Sequence, residues 1–372
     1  MIDLRQEDFK AFFEAPFSAY GPDDLYVSPM KSDLQRFLSK KRNPLFKGKS
    51  DLTYFTAHRR NQILGRITAH VHAESNEAYE VNQAYFGYFD CADDDEAAKA
   101  LLDAAERWAQ ARGLASIVGN YNLTAMQQIG VVTSGFEHAP YTDLVYSPPH
   151  IHKLLERAGY QPEFPMTTFE TRFDDSYRAM ELGPSKQDIL NDPDFEFAPI
   201  NTRTIADRLE DARAILNASF ATNPQFVPVT EEEYHFQSKD MKWIMDPRIS
   251  AVLHHRGKPV ACIICIPDLN PLLQKVRSRI GWSFPFHFLM HRLRRKRAVL
   301  IYSGVIPELQ GQGVNSLLLH RVTTAMRDAG YEFCGNTWIS DSNKAILRQK
   351  EKMGAIPLHR VHLYRKSLEA AT

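Results

Sequence analysis

The chain has 372 residues, of which 44% are hydrophobic and 24% are charged, and its 45 basic residues balance 45 acidic ones. This length exceeds the usual size of one hydrophobic core and predicts two domains. A net charge of zero excludes nucleic acid as the main partner, because binding to phosphates requires a surplus of basic residues.

The first half of the sequence carries a series of short apolar segments whose spacing alternates between the strand and the helix period. In chain order these predict a hairpin over 53–59 and 63–72, a strand over 85–89, a helix over 96–112, a strand over 116–118 and a helix over 150–158. Gly113 and Gly159 follow the two helices, as expected for helix ends.

The second half repeats this series. Its predicted elements are a strand over 195–200, helices over 205–220 and 231–245, a hairpin over 250–255 and 259–266, a strand over 298–305, a helix over 314–328, a strand over 333–339, a helix over 343–353 and a last strand over 358–364. Internal duplication is the economical interpretation, and two unrelated α/β units are the alternative. We predict a first domain at 1–173, a linker at 174–193 and a second domain at 194–372, with an insertion at 269–297.

No apolar run approaches the roughly 20 residues needed to cross a bilayer, and the N-terminus lacks a secretory signal. The sequence therefore predicts a cytoplasmic protein, or one that is peripheral to the inner membrane. Of the four cysteines, Cys262 and Cys265 form a CxxC pattern, but they lie in a predicted strand with no second ligand pair. We expect buried structural cysteines and no metal site.

A glycine-rich turn lies between the strand over 298–305 and the following helix. Its residues are Val305, Ile306, Gln310, Gly311, Gln312, Gly313, Val314, Asn315 and Ser316. Unpaired backbone N–H groups at a helix N-terminus, approached through glycines, are suited to bind a diphosphate.

This turn resembles the signature of the GNAT (Gcn5-related N-acetyltransferase) superfamily, Gln/Arg-x-x-Gly-x-Gly/Ala, with Gln310, Gly313 and Asn315 at its three positions. The resemblance implies an α/β fold of two tandem GNAT-like domains, each a central mixed sheet flanked by helices. It also implies that acyl-CoA (coenzyme A as co-substrate) binds at the turn and that Asn343 contacts it. Asn315 departs from the usual glycine or alanine and would add bulk near the phosphates.

In the first half the corresponding turn reads Asp90-Cys91-Ala92-Asp93-Asp94-Asp95-Glu96. Carboxylates repel a diphosphate, so the first domain is predicted to be a degenerate GNAT-like domain that does not hold CoA. Acidic residues also suit a helix N-terminus for structural reasons alone.

The resemblance implies direct attack of an amine on the acyl-CoA thioester. Many family members protonate the departing thiolate with a tyrosine, and the corresponding position here is Lys350. Tyr302 and Tyr364 are the substitutes that we consider, and each has packing in a strand as its alternative. Glu308, and secondarily Asp341, are candidate bases.

The insertion combines aromatic residues over 282–288 with the basic run Arg292-Leu293-Arg294-Arg295-Lys296-Arg297. This pattern favours contact of 282–297 with an anionic membrane, and the alternative is a lid with a solvated basic edge. The first half, through segments such as Phe12-Phe13-Glu14-Ala15-Pro16-Phe17 and Tyr85-Phe86-Gly87-Tyr88-Phe89, is similar to a group of two-domain bacterial proteins that includes the bacterial ceramide synthases.

Three functions follow as expectations. The resemblance implies an N-acyltransferase that transfers an acyl group from acyl-CoA to a primary amine, with a long-chain lipid amine resembling a sphingoid base as the acceptor. A soluble N-acetyltransferase of a small amine, amino acid or peptide is the second. A non-catalytic CoA-binding scaffold protein is the third, because Asn315 and Lys350 both depart from the family pattern.

Overall fold

The computed structural model of the protein describes residues 1–21, 24–174, 177, 184–221 and 227–368. The chain divides into two compact units. The first unit comprises 1–167, 270–288 and 358–372, and the second unit comprises 168–269 and 289–357.

Helices and strands alternate along the whole chain. As far as Arg172 they are β1 Asp3–Gln6, α1 Phe9–Ala19, α2 Lys31–Phe37, β2 Asp51–Arg59, β3 Gln62–Val71, α3 Ala73–Ala78, β4 Gln83–Cys91, α4 Asp95–Gln110, β5 Ser116–Gly119, β6 Val131–Ser134, α5 Pro149–Arg157 and β7 Gln161–Arg172. They continue with α6 Pro184–Asn191, β8 Phe195–Phe197, α7 Ile205–Ser219, α8 Glu231–Ser238, α9 Met241–Ile244, β9 Ala251–His255, β10 Lys258–Pro267, α10 Asn270–Val276, α11 Phe284–Arg294, β11 Arg297–Val305, α12 Val314–Asp328, β12 Phe333–Ser340, α13 Lys344–Lys352 and β13 Ile356–Ser367.

The sheet of the first unit has the order β1-β2-β3-β4-β5-β13, with β6 also paired to β13. Its neighbours are antiparallel except for β4 and β5, which are parallel. The helix α4 packs an alanine- and leucine-rich face on this sheet, so that Leu101, Leu102 and Ala105 are fully buried. Each such leucine contributes about 1.5–3 kcal/mol relative to an exposed one.

The second unit has the strand order β12-β11-β10-β9-β8, with β11 and β12 parallel and the other pairs antiparallel. One face of α12 is buried against this sheet. Its apolar residues recur every four positions at Val314, Leu318, Val322 and Met326. That spacing is the helical periodicity which predicted the element from sequence.

The last strand, β13, belongs to the first unit. Tyr364 to Ser367 of β13 pair with Gly119 to Ser116 of β5 in antiparallel register. The segment 270–288 of the insertion also belongs to the first unit. The observed second unit therefore differs from the predicted domain at 194–372 in these two segments, because local patterns do not reveal which sheet an open strand edge completes. Of the predicted linker at 174–193, residues 175–176 and 178–183 lie outside the described residues.

The α/β class and the repeated order of elements are confirmed, since β2–β3, β4, α4, β5 and α5 recur as β9–β10, β11, α12, β12 and α13. All four cysteines are buried and free, as expected. The insertion forms the helices α10 and α11. Among the helices of the described residues, none is long and apolar enough to cross a membrane.

Candidate functional site

The parallel strands β11 and β12 diverge part-way along their length. Their pairing runs from Arg297–Phe333 to Leu300–Asn336 and ends there. On its other side, β11 stays paired with β10 as far as Val305, but the register skips Ile301. A bulge at this position re-aims the following side chains. The two strands thus leave a gap that begins at Leu300 and Asn336.

The glycine-rich turn follows β11 directly. The Ile306 N–H donates to the Val260 carbonyl at 2.9 Å, and the Gln310 Nε2 donates to the Val305 carbonyl at 3.0 Å. Gly311 and Gly313 have φ angles of +76° and +88°, a region that residues with a Cβ rarely adopt. A Cβ on Gly311 would meet nothing within 4 Å, so the turn faces open space.

The helix α12 begins at this turn without a side-chain cap, and Gly313 is its N-cap residue. Its first N–H groups have no carbonyl partner in a preceding turn, and the helix dipole places partial positive charge there. An uncapped N-terminus behind two left-handed glycines is suited to bind a diphosphate. These features belong to the residues predicted from sequence, Gln310 to Ser316.

Asn315 is placed differently from the expectation. Its Oδ1 accepts a hydrogen bond from Ser303 Oγ at 3.1 Å, and its Nδ2 donates to Gln349 Oε1 at 2.9 Å. Gln349 Nε2 donates in turn to Ser316 Oγ at 3.2 Å. The amide therefore joins α12 to β11 and α13, and it does not add bulk on the open side of the turn.

The other predicted contact residues take varied positions in the second unit. Asn343 caps α13, since its Oδ1 accepts from the Ile346 N–H at 3.2 Å. Glu308 is exposed in a short 3-10 helix, Pro307–Leu309, beside the turn. Asp341 is partly buried in the turn that precedes α13.

The structure separates the two candidate tyrosines. Tyr302 follows the bulge in β11, and its ring centroid lies 6.3 Å from that of Tyr234 in α8. Tyr364 lies in the core of the first unit, fully buried, and its hydroxyl donates to Glu156 Oε1 at 3.0 Å. It is not brought together with the turn residues, because β13 completes the sheet of the first unit.

Lys350 in α13 is buried, and its Nζ donates a hydrogen bond to Asn336 Oδ1. Burial lowers the pKa of Lys350 to about 8, against a small opposing effect of the Cys334 and Cys265 thiols. The sequence analysis noted Lys350 only as the replacement of a tyrosine, and it missed Asn336. The available signal was an asparagine in the middle of an apolar strand, where a buried amide needs a partner.

Comparisons with known proteins agree with this geometry. No protein-family model matches the chain. A tandem GNAT protein from the clavulanic acid biosynthesis pathway superposes over 100% of both chains with a TM-score of 0.59 at 11% identity. A GNAT from Sphaerobacter thermophilus covers 100% of this chain and 97% of its own, with a TM-score of 0.55 at 13% identity. The chain has a tandem GNAT fold.

Two curated proteins resemble the tandem GNAT chain over nearly its full length. Protein YghO of Escherichia coli is 26% identical over 378 residues, which cover 98% of this chain and 94% of that protein. The bacterial ceramide synthase of Caulobacter vibrioides is 24% identical over 377 residues, which cover 97% and 95%. The predicted resemblance to tandem GNAT proteins and to a bacterial ceramide synthase is confirmed.

The first GNAT-like unit has a different helix N-terminus at the equivalent place. Asp94 caps α4, with its Oδ1 accepting from the Ala97 N–H at 2.9 Å, and it forms an ion pair with Arg59. Arg59 also contacts Glu96 at 2.8 Å, and Arg157 contacts Asp95 at 2.7 Å. The acidic residues of this turn thus serve the helix N-terminus itself, which was the structural alternative considered from sequence.

The gap between β4 and β5 in the first GNAT-like unit is occupied by the chain itself. Their pairing ends at Tyr85 and Val118. Beyond it, the Tyr121 N–H donates to the Phe86 carbonyl at 2.7 Å. The side-chain oxygens of Asn122 and Asn120 accept from the N–H groups of Tyr88 and Phe89 at 2.7 and 3.1 Å. Backbone groups of β4 that face the gap are therefore already hydrogen-bonded.

Metal chemistry has no candidate site in the part of the chain that the structure describes, where no group of three or more His, Cys, Asp or Glu side chains is placed to hold an ion. His70 and His72 instead direct their Nε2 atoms to the Leu123 carbonyl, at 3.1 and 2.7 Å. Burial holds the pKa of both imidazoles below its ordinary value. They are neutral core histidines.

Proposed function

We propose that the protein is an acyl-CoA-dependent N-acyltransferase, which transfers an acyl group from CoA to the primary amine of a long-chain lipid. The observation that carries this proposal is the uncapped N-terminus of α12, preceded by Gly311 and Gly313 in left-handed conformations, directly beside the gap between β11 and β12. This combination provides an anion site next to unpaired strand edges.

In this proposal the CoA diphosphate binds to the first N–H groups of α12, and the pantetheine arm extends along β11 into the gap. The acceptor amine attacks the thioester carbonyl carbon, so that a C–N bond forms and the C–S bond breaks. A backbone N–H of β11 stabilises the oxyanion. The acceptor nitrogen loses one proton and the sulfur gains one. Tyr302 and Glu308 are the sequence-derived candidates for these proton transfers within the second unit.

The first unit, in this proposal, does not bind acyl-CoA. Asp94 already caps the N-terminus of α4, and a diphosphate there would lie against the carboxylates of Asp94, Asp95 and Glu96. The side chains of Asn120 and Asn122 hold the strand edge along which a pantetheine arm would have to extend. One CoA site per chain follows.

Two observations support a long-chain lipid amine as the acceptor. The first is the similarity over nearly the full chain to the bacterial ceramide synthase of Caulobacter vibrioides. The second is α11, a helix that leaves large apolar side chains exposed. Phe286, Leu289 and Leu293 are between 54% and 72% exposed and share one helix face, and Trp282, just before the helix, is 97% exposed.

The basic residues beside this apolar face differ in their availability. Arg295, Lys296 and Arg297 form ion pairs with Asp246, Glu332 and Asp268. Arg292 and Arg294 are exposed and pair with no carboxylate among the described residues. Each such cation contributes about 1 kcal/mol at an anionic membrane surface. We propose that 282–294 contacts the membrane in which the lipid amine resides.

The first experiment compares thermal stabilisation of the protein by palmitoyl-CoA, acetyl-CoA and free CoA. Ligands that bind the native state raise its melting temperature in proportion to affinity and concentration. We expect a larger shift with palmitoyl-CoA than with acetyl-CoA. A larger shift with acetyl-CoA would favour a soluble acetyltransferase of small amines, and no shift with any of the three would reject the CoA site.

The second experiment measures thiol release from palmitoyl-CoA with sphinganine and with serinol, which carries the same amino-diol head without the chain. We expect turnover with sphinganine in mixed micelles and little with serinol. Turnover with both would assign recognition to the head group alone. Stabilisation by acyl-CoA without turnover of any amine would point to a CoA-binding scaffold.

A further inference from the structure

Lys350 is an unusual residue in the core of the second unit. Its side chain is 4% exposed, and no carboxylate among the described residues pairs with it. Its Nζ has one hydrogen-bond acceptor, Asn336 Oδ1. Burying an ammonium group without an opposite charge is strongly unfavourable, so an apolar side chain would serve packing better.

The position of this ammonium coincides with the start of the gap between the strands. Asn336 is the last residue of β12 that pairs with β11, through Leu300, and the bulged Ile301 follows immediately. The gap is where the proposed pantetheine arm ends in the thioester. Lys350 therefore lies beside the place where the C–S bond would break.

Lys350 also lies on the same face of the sheet as the glycine-rich turn. Its neighbour Gln349 is hydrogen-bonded to Asn315 and Ser316 in the first turn of α12. Tyr302 faces the other side, towards α7 and α8. Its ring is near that of Tyr234, and a Cβ on Gly304, two residues further along β11, would meet Ser219 Oγ at 2.9 Å.

We propose that Lys350 is the proton donor to the sulfur of the departing CoA thiolate. The inference rests on the proposed function. As the C–S bond breaks, the sulfur takes the electron pair and then a proton from the Lys350 ammonium, leaving a neutral amine. The proton lost by the acceptor nitrogen passes to solvent, and Lys350 regains one from solvent. The products are the amide and the CoA thiol.

The surroundings of Lys350 suit this role. The titratable groups that face it are Cys265 of β10 and Cys334 of β12. Burial raises the pKa of Cys334 to about 11 and that of Cys265 well above its ordinary value, so both stay neutral thiols. Glu170 of β7 raises the pKa of Cys334 further. With a pKa of about 8, Lys350 is charged at neutral pH and still gives up its proton readily.

The first test needs no acceptor. Free CoA is bound to the protein, and formation of its thiolate is followed by ultraviolet absorbance against pH in wild type, Lys350→Met and Lys350→Arg. An adjacent cation lowers a thiol pKa by about one unit or more. We expect a lowered thiol pKa in wild type and Lys350→Arg, and an ordinary or raised one in Lys350→Met.

The wild-type titration alone keeps the test decisive if a variant fails to fold. A bound CoA thiol whose pKa equals that of free CoA would overturn the role of Lys350 and leave the CoA site intact. Absence of CoA binding to wild type would overturn the proposed function, and this inference with it.

The second test uses turnover of palmitoyl-CoA with sphinganine. We expect kcat to fall as pH rises through about 8 in wild type, because Lys350 loses its proton there. Lys350→Arg keeps the charge but does not release a proton, so it should lose about 10²-fold in kcat without that limb, at a similar KM for palmitoyl-CoA. An Arg variant with wild-type kcat would exclude proton donation.

Discussion

The hydroxyl of Ser303 in β11 donates a hydrogen bond to Asn315 Oδ1 in the first turn of α12, over 3.1 Å. This contact orients the asparagine away from the open side of the turn. We expect Asn315→Ala to lower stability by about 1–2 kcal/mol, because it removes two partly buried hydrogen bonds. Affinity for CoA should change less than about threefold, as no diphosphate contact is lost. Denaturant unfolding and isothermal titration with CoA measure the two effects.

Gly313→Asp should abolish CoA binding. The substitution brings a carboxylate to the anion site and strains a residue with φ of +88°, at a cost of about 1–2 kcal/mol. Gly330→Asp is the matched control, because Gly330 follows the C-terminal end of the same helix with φ of +82° and open space around it. Both variants should lose similar stability, and only Gly313→Asp should lose affinity. Equal CoA affinities in the two would refute the site.

Much of this site could be predicted from the sequence because it depends on local features. The turn at Gln310–Ser316, the helix after it and the central strand before it all follow from glycine placement and apolar spacing. The bulge at Ile301 and the divergence at Asn336 could not be predicted, since they depend on which neighbouring strands pair and where that pairing ends.

Long-range pairing also explains the misplaced tyrosine. Tyr364 lies in a strand whose pattern was recognised, but nothing local to 358–364 shows that β13 joins β5 of the first unit. Likewise, the amide of Asn120 or Asn122 reads from sequence as a turn residue. Its use as a hydrogen-bond acceptor for β4 becomes visible only when the two strands separate.

Asp94→Asn should destabilise the first unit without changing CoA affinity. The carboxylate caps α4 and pairs with Arg59, and we expect a loss of about 1 kcal/mol at neutral pH. Its hydrogen bond with Arg59 holds the pKa of Asp94 below the ordinary value. This stabilisation is therefore fully present above the unfolded pKa near 4 and is lost as pH falls through the lower folded value. Urea unfolding of wild type and variant should converge in acid.

Tyr302→Phe and Tyr364→Phe separate packing from proton transfer. If Lys350 is the donor, Tyr302→Phe should keep kcat within about threefold of wild type. Tyr364→Phe removes the bond to Glu156 and should lower stability by about 1 kcal/mol with unchanged kcat. A loss near 10²-fold in Tyr302→Phe would instead make that hydroxyl the acid. Steady-state kinetics with palmitoyl-CoA and sphinganine decide.

Membrane contact through α11 predicts a pair of independent losses. Replacing Trp282 and Phe286 together by serine removes exposed apolar anchors, and replacing Arg292 and Arg294 together by glutamine removes two unpaired cations. The charge variant should weaken binding to anionic vesicles by about 30-fold, from about 1 kcal/mol per cation. Only its effect should vanish at high salt.

Trp243→Ser is the control, since Trp243 is 68% exposed on α9 and lies outside the proposed contact. Binding is measured by cosedimentation with vesicles of phosphatidylglycerol and phosphatidylcholine in equal parts, and with phosphatidylcholine alone. Trp243→Ser should bind like wild type, because an exposed aromatic side chain anchors the protein only where it reaches the lipid interface. If Trp243→Ser lost as much binding as the double serine variant, any exposed aromatic residue would suffice and α11 would have no special role.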